Sequence, residues 1–504
     1  MGEKLEKLYF GDVDGETESQ RQDFQDMFYD EEDIYQQVQD EKFIILGRKG
    51  TGKTIIGEYL KVCFDKDTDY SYCKICDSGD LNLCKLIEIG EQQINVQEGE
   101  LVWQYMLYSI LAEVLSEDQK GLKKLFFWSS SCKLSKFLKR EETRYKENGM
   151  KKSNQKNNRF TTQLNKIGTN SERNYSTDIT YELRHYYDKI KPLKKNVLQT
   201  LGKKNVILII DDLDNLNLSA TMDVYYSQCI ANLVRAVSKI NREFKEISAN
   251  RSKIIILLRD DIINYINEND SNFNKIVSNK VIRIDWWSPR NKDGKKEAYE
   301  HPLMKMILRK IKTSSENLCE KTDKEVYQTI FPEKIGNKDC MQYLLEFSLG
   351  RPRDIIQFLN IVKDRHKTEK VFRKKYFKEC EGEYSIAFKD ELDNELNIHE
   401  NSAMIKDAMK MISDLKRINF SYEIIEKHYM KMRRCYSNID NLDEALKVLY
   451  SLGIIGNTWT YTNRNGEKKY GHSWAYRLDG EREVNLAKNF YVHRALWKVM
   501  SLNN

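Results

Sequence analysis

Residues 47–54 read GRKGTGKT, and the apolar run Phe43–Leu46 ends on the first of these glycines. This stretch restricts the fold more than any other in the chain. Gly47, Gly50 and Gly52 let the backbone turn sharply and approach a neighbouring group with no Cβ in the way. Ile55–Phe64 then carries apolar residues at helical spacing. A strand that stops in a glycine turn and re-enters as a helix opens a βαβ unit. The chain is therefore expected to build a parallel α/β sheet covered by helices.

The turn matches G-x-x-x-x-G-K-[ST] at Gly47, Gly52, Lys53 and Thr54. A polyphosphate needs backbone N–H groups aimed inward, and the loop Gly47, Arg48, Lys49, Gly50, Thr51, Gly52 offers them. The helix that follows presents its positive end to the phosphates. Lys53 reaches the β- and γ-phosphates as a point charge, and the hydroxyl of Thr54 goes to Mg²⁺.

Val206–Asp214 reads VILIIDDLD, a fully apolar run bounded by Asn205 and Asp211. That is the pattern of a buried parallel strand, and such sheets bind ligands at their carboxyl edge. Asp211 is placed to hold Mg²⁺, mostly through water, and Asp212 to orient and polarise an attacking water. Ile254–Leu258 delivers Arg259 to the same edge, within IIILLRDD. Arg259 either senses the γ-phosphate or pairs with Asp260 or Asp261.

The remaining chain reads as follows. The first forty residues look helical, acidic and polar. Tyr70–Cys76 alternates as a second strand, Leu101–Leu115 has the spacing of a buried helix, and Val281–Asp285 is a fifth strand. Residues 131–176 hold 12 basic and 4 acidic residues, and 138–176 lose apolar patterning, as a basic mobile insertion does. From about residue 300 the strands stop, and 301–400 reads as a helical bundle. Ala403–Leu415, Tyr422–Met432 and Leu442–Leu452 are three further helices. They lead into a hairpin of Ile454–Tyr461 and Lys468–Leu478 about Asn463–Gly466, the order of a winged helix-turn-helix.

Composition narrows the class. With 504 residues the chain needs more than one domain, and with 5 prolines it has few rigid linkers. The net charge of +6 is too small to mark a nucleic-acid binder by itself. Its distribution is uneven, with 14 acidic and 3 basic residues in 1–41. The start is charged and lacks an apolar signal region, and the longest apolar runs are far too short to span a bilayer. Gly2 is followed by Glu6 where a myristoylation signal needs Ser or Thr. The ten cysteines are scattered and read as free thiols of a reducing, cytoplasmic compartment. Cys73 and Cys76, with Cys84 near, lack a fourth zinc ligand and would face opposite sides of a strand. The histidines have no ligand spacing. Trp286 and Trp287 are expected to pack where the sheet meets the helical region.

Taken in order, GRKGTGKT, VILIIDDLD, IIILLRDD and GRPRDIIQFLN (350–360) resemble the STAND and initiator-type AAA+ branch of P-loop ATPases of the ASCE class. The chain is more closely similar to a bacterial P-loop ATPase family that opens with a comparable acidic FGD segment. The likeness covers most of the chain and leaves out 138–176. It implies ATP as the nucleotide with Mg²⁺, and no guanine-reading N-K-x-D element stands on a suitable strand. It implies a P-loop core over 1–299, a helical lid over 300–400 and a winged helix-turn-helix over 401–504. It gives Arg353, beside Arg351, the place of a lid arginine that contacts the γ-phosphate; on its own residues, the segment reads as a helix start set by Pro352 and Asp354. Many relatives carry Glu where Asp212 stands, which implies slow hydrolysis and a nucleotide-timed switch.

One departure bears on assembly. Residues 260–281 hold Lys275 and Lys280 but no Arg, so the arginine finger of AAA+ rings has no counterpart. STAND relatives often lack it and assemble as homo-oligomers on a trigger. Some related families occur in bacterial antiphage defence, and no effector constellation stands in this chain, which implies a partner effector protein. Three functions therefore compete: an ATP-hydrolysing switch, an ATP-regulated DNA-binding protein and a sensor of a protein partner. DNA contact would run through Arg433, Arg434, Arg464, Lys468 and Lys469. No membrane partner is expected.

Overall fold

The computed structural model describes residues 3–81, 96–116, 134, 136–137, 189–202, 204–213, 224–247, 250–270, 273–287, 297–396, 401–463, 466–477, 481 and 483–503. Most of the basic stretch 131–176, together with Arg464 and Cys84, lies outside them.

Five parallel strands form the central sheet: β1 (Ile44–Leu46), β2 (Tyr72–Cys76), β3 (Val206–Ile210), β4 (Lys253–Leu258) and β5 (Val281–Arg283). Their order is β2-β3-β4-β1-β5, and every pairing is parallel. Strand residues alternate between two cores, as the period of two requires. Ile45, Ile207, Ile209, Ile255, Leu257 and Ile282 face one side, where Ile56, Leu60 and Phe64 of α1 (Lys53–Lys66) cover them. Ile44, Leu46, Leu208, Ile210, Ile254, Ile256 and Leu258 face the other, under α2 (Val96–Ser116), α3 (Val224–Lys245) and α4 (Asp260–Asn269). Both faces are dry, which explains the unbroken apolar runs of β3 and β4. Each buried Ile or Leu contributes about 1.5–3 kcal/mol.

The strand order creates a crevice. β1 leads through α1 toward the β2 edge, whereas β4 leads across β1 to β5. Chain connections therefore diverge beside the carboxyl end of β1, which is where open α/β sheets bind ligands.

The first forty residues are helical, as expected, but in short pieces and with more buried apolar side chains than a polar segment implies. They form four short helices, Leu5–Lys7, Gly15–Ser19, Phe24–Met27 and Ile34–Gln39. Gly11 (φ 120°) and Asp33 (φ 50°) sit in the left-handed region and interrupt any longer helix. Their apolar residues are anchors. Phe24, Phe28, Ile34 and Val38 join the α1 face of the sheet, while Leu5, Leu8 and Phe10 enter the core of the helical region.

That region contains α5 (Pro302–Thr313), α6 (Pro352–Arg365) and α7 (Lys374–Leu396), with shorter helices Asp323–Ile330 and Cys340–Glu346. Strands do not quite stop at residue 300, because Lys334–Ile335 and Lys338–Asp339 pair about Gly336. Helices Ser402–Leu415, Tyr422–Met432 and Leu442–Ser451 follow, then the hairpin Ile455–Thr462 and Lys468–Ser473. Two strands not expected from sequence, Asn489–Val492 and Asn419–Phe420, extend this hairpin to a four-stranded antiparallel sheet. The buried residues of 303–396 and 405–502 form one continuous cluster, so the core does not divide near residue 400. Among the described residues no helix is long and apolar enough to cross a membrane.

Candidate functional site

At the carboxyl edge of the sheet the ladder runs one residue past each strand. The amide of Gly47 donates to Leu258 O (3.2 Å), and that of Asp211 donates to Cys76 O (3.0 Å). Chain direction then changes at once. Gly50 (φ 81°) and Gly52 (φ 92°) take left-handed backbone that other residues adopt at a cost. At Gly47 the demand is space, since a Cβ there would lie 2.4 Å from Thr51 Oγ1. Gly52 is the N-cap of α1, so Lys53 and Thr54 begin the helix.

The loop holds itself in shape. Lys53 Nζ donates to Gly47 O (3.2 Å) and Arg48 O (3.3 Å). Thr51 Oγ1 donates to Arg48 O (2.8 Å), and Trp286 Nε1 donates to Thr51 O (2.9 Å). Trp287 meanwhile packs against Gly350. The two tryptophans thus stand between sheet and helical region, as expected from sequence.

A cleft of about 300 Å³ opens over the loop. It is lined by Lys49–Ile56, by Asp211 and Asp212 from the end of β3, and by Pro352 and Arg353 from the start of α6. Asp212 has φ 57°, a strained conformation for a residue with a Cβ. Arg353 donates to Glu391 Oε1 (2.5 Å), and Lys49 lies 3.8 Å from the same oxygen. Its neighbour Arg351 is buried instead, gripped by Asp354 (2.9 Å) and Glu395 (2.7 Å), with a further bond to Lys49 O (3.3 Å). Burial opposes its charge, yet these two carboxylates hold its pKa above the ordinary value.

Arg259 stands apart from this cleft. Its guanidinium binds Asp261 (Nε to Oδ1, 3.0 Å), so of the two sequence readings the geometry favours the ion pair. Arg48 also points away. It lies over Tyr476, and its Nη1 is buried with no hydrogen-bond partner among the described residues. Burial, then the charge of Arg351, lowers its pKa.

The acidic N-terminal segment supplies a wall that sequence reasoning did not place. Asp12, Val13, Asp14, Gly15, Glu16 and Glu18 line the cleft, with Phe28, Tyr29, Met306 and Lys310. Lys310 and Glu18 form a buried ion pair. Glu18 also accepts from Asp12 N (2.9 Å) and Tyr9 OH (3.2 Å). Asp14 caps its own turn, and the Thr17 hydroxyl and amide hold its carboxyl below the usual range. Glu58, one turn beyond Thr54, has its pKa raised by burial and by the charges of Glu16 and Asp211. The signal for this wall was the acidic excess of residues 1–41, but no local pattern tied it to a loop thirty residues on.

The basic residues of the C-terminal region lie elsewhere. Arg433 and Arg434 form an exposed turn, and Lys468 and Lys469 sit exposed on the hairpin. No hydrogen bond or ion pair links the two pairs among the described residues. Tyr470 (73% exposed) and Tyr461 (47%) share the hairpin with the lysines. On β2, Cys73 packs on the α1 side and Cys76 on the opposite side, both as free thiols.

Residues 301–393 match the family described as the FunZ-associated C-terminal helical domain. Over 485 residues the chain is 22% identical to a protein of Escherichia coli (strain K12) named for the transposon gamma-delta, its 80.3 kDa protein. That alignment covers 92% of this chain and 63% of the relative, so the chain spans under two thirds of the length of the protein it matches.

Proposed function

We propose that this chain is an ATP-binding and ATP-hydrolysing P-loop NTPase of the STAND and initiator-type AAA+ branch, working as a nucleotide-driven switch. One observation carries the reading. A glycine turn with two left-handed glycines, at the carboxyl end of β1 and the start of α1, shares a cleft with Asp211, Asp212 and Arg353. Loop amides, a helix N-terminus and Lys53 suit the phosphates. A hydroxyl and a carboxylate, Thr54 and Asp211, are hard oxygen donors that fit Mg²⁺, which would supply charge neutralisation at the β- and γ-oxygens. Asp212 then orients the water, and Arg353, from the start of α6, meets the γ-phosphate after exchanging Glu391 for it. Such an exchange couples phosphate occupancy to α6 and α7.

Titration of a fluorescent ATP analogue into the purified chain tests this. Wild type binds with Mg²⁺ dependence, Lys53→Ala loses triphosphate affinity, and Asp211→Ala loses the Mg²⁺ dependence. Normal ATP binding by Lys53→Ala would end the reading. Within it, a role in antiphage defence with a partner effector and a homo-oligomeric active form remain the family-level implication.

A second reading, ATP-regulated DNA contact, is favoured by the exposed Lys468, Lys469, Tyr461 and Tyr470 on one two-stranded ribbon and by the transposon name of the relative. It predicts salt-sensitive duplex binding that is lost when Lys468 and Lys469 are neutralised.

A further inference from the structure

α5 separates two cavities. Met306 and Lys310 face the cleft described above. On its other side lies a recess of about 360 Å³, lined by Lys305, Arg309, Lys312 and Thr313 of α5, by Asp26 and Tyr29 of the N-terminal segment, and by Cys319 and Asp323. Lys305, Arg309 and Lys312 follow the spacing that brings residues onto one helix face. Tyr29 lines both cavities.

The cations of this recess differ in their commitments. Lys312 is paired with Asp323 (3.2 Å). Arg309 gives only its Nε, to the backbone carbonyl of Asp26 (2.7 Å). That bond fixes the plane of the guanidinium and leaves its two terminal nitrogens unengaged among the described residues. The ammonium of Lys305 has no hydrogen bond or ion pair among them either. Thr313 Oγ1 is turned to Arg309 O (3.0 Å). Two cations, Lys305 and Arg309, and one carboxylate, that of Asp26, therefore line the same recess with no ion pair of their own among the described residues. An oriented guanidinium fork beside an ammonium is the donor set that binds a phosphate dianion. Asp26 then faces whatever the phosphate is attached to, and as an acceptor it suits hydroxyl groups.

We propose that this recess binds a small phosphate monoester with a hydroxyl-bearing body, of the sugar-phosphate class, with Arg309 and Lys305 on the phosphate and Asp26 on the hydroxyls. The site is separate from the glycine-loop cleft and does not depend on the function proposed for it. Because α5 and Tyr29 belong to both cavities, its occupant bears on the wall of that cleft.

Calorimetric titration of ribose 5-phosphate, with ribose as the uncharged control, tests the site on the full chain. Wild type and Lys53→Ala are expected to bind ribose 5-phosphate alike, because Lys53 belongs to the other cavity. Lys305→Ala/Arg309→Ala should weaken binding at least tenfold, and ribose should not bind. Both residues are on the solvent side of α5, and circular dichroism of the double variant checks that it folds. Asp26→Asn separates the roles: a pure phosphate site would tighten on losing a like charge, whereas hydroxyl recognition by Asp26 requires weaker binding of ribose 5-phosphate and tighter binding of inorganic phosphate. Absence of binding at millimolar ligand, loss of binding in Lys53→Ala, or indifference to the double substitution would each overturn the site. So would tighter ribose 5-phosphate binding by Asp26→Asn, for the class of ligand.

Discussion

Arg48 of the glycine loop lies with its guanidinium 5.6 Å from the ring centroid of Tyr476, which follows the hairpin of the C-terminal sheet. The tyrosine is itself wedged between Trp474 and Trp287, and Arg477 lies 4.0 Å from the Trp287 ring. The loop that opens α1 is thus in direct contact with the far end of the chain. The contact is imperfect, since Arg48 Nη1 is buried without a partner among the described residues. A buried unsatisfied donor costs about 1–3 kcal/mol. Arg48→Met is therefore expected to keep or raise stability by about 1 kcal/mol, whereas Tyr476→Ala should lower it by about 3–5 kcal/mol through the cavity it leaves. Urea unfolding followed by tryptophan fluorescence measures both. A large loss in Arg48→Met would show that the arginine is better satisfied than its geometry implies.

Asp212 separates stability from activity. Its left-handed backbone (φ 57°) costs a residue with a Cβ about 1 kcal/mol. Asp212→Gly should relieve that strain and leave the fold equal or slightly more stable, while ATP turnover falls by two orders of magnitude or more for want of a water-orienting carboxylate. Thermal melting beside a phosphate-release assay distinguishes this from simple damage. Lower stability with turnover intact would remove Asp212 from the mechanism.

Gly50 makes the opposite test. Gly50→Ala puts a Cβ at φ 81° and 3.1 Å from Arg351 Cδ. We expect about 1–3 kcal/mol of strain and a loss of nucleotide affinity, because the loop must open to accommodate the methyl group. Unaltered affinity in a fluorescence titration would mean that the loop tolerates another shape.

The Lys310–Glu18 pair ties the N-terminal wall of the cleft to α5, and both side chains are almost completely buried (3% and 1% exposed). Removing one partner leaves a charge in the interior, so Lys310→Ala should cost about 3–5 kcal/mol. Lys310→Met with Glu18→Gln removes both charges and keeps an acceptor for the amide of Asp12. It should recover most of that loss. If the double variant is no better than the single one, the pair's charges are not what the fold depends on.

Lys253 predicts a pH dependence. It opens β4, is buried, and donates to the carbonyls of Val38 and of Asp40 (2.5 Å). Burial, then the charge of Lys245, lowers its pKa from 10.5 to about 8. Between about 8 and 10.5 the unfolded chain therefore holds more protons than the folded one, and this group makes stability rise with pH across that window. Below pH 8 its burial penalty is fully present. Unfolding free energies of wild type minus Lys253→Met, measured from pH 7 to 10.5, should climb with pH. A flat difference would mean that Lys253 titrates normally.

Much of the sheet and the glycine loop was legible before the fold was known, and for a local reason. β1, the loop and α1 are contiguous, and their pattern of apolar residues, glycines and Lys53 encodes a strand, a turn and a helix start without help from elsewhere. The runs 206–210 and 254–258 were equally plain, because a strand buried on both faces tolerates nothing polar. Asp211 and Asp212 could be placed on the same edge as the loop, since parallel strands bring their carboxyl ends together.

What tertiary structure decided was every relation between segments distant in sequence. Residues 12–18 reach the cleft because Leu5, Leu8 and Phe10 are buried in the helical region and Phe24 and Phe28 under α1, anchors with no regular spacing. The partners of Arg353, Arg351 and Arg259 depended on which carboxylate lay nearest in space, a choice that several acidic neighbours left open. The sheet about the hairpin gained Asn419–Phe420 and Asn489–Val492, too short to signal themselves, because backbone groups on an edge are satisfied by whatever strand packs beside them. Local pattern determines which elements form; long-range burial and pairing determine which side chains meet.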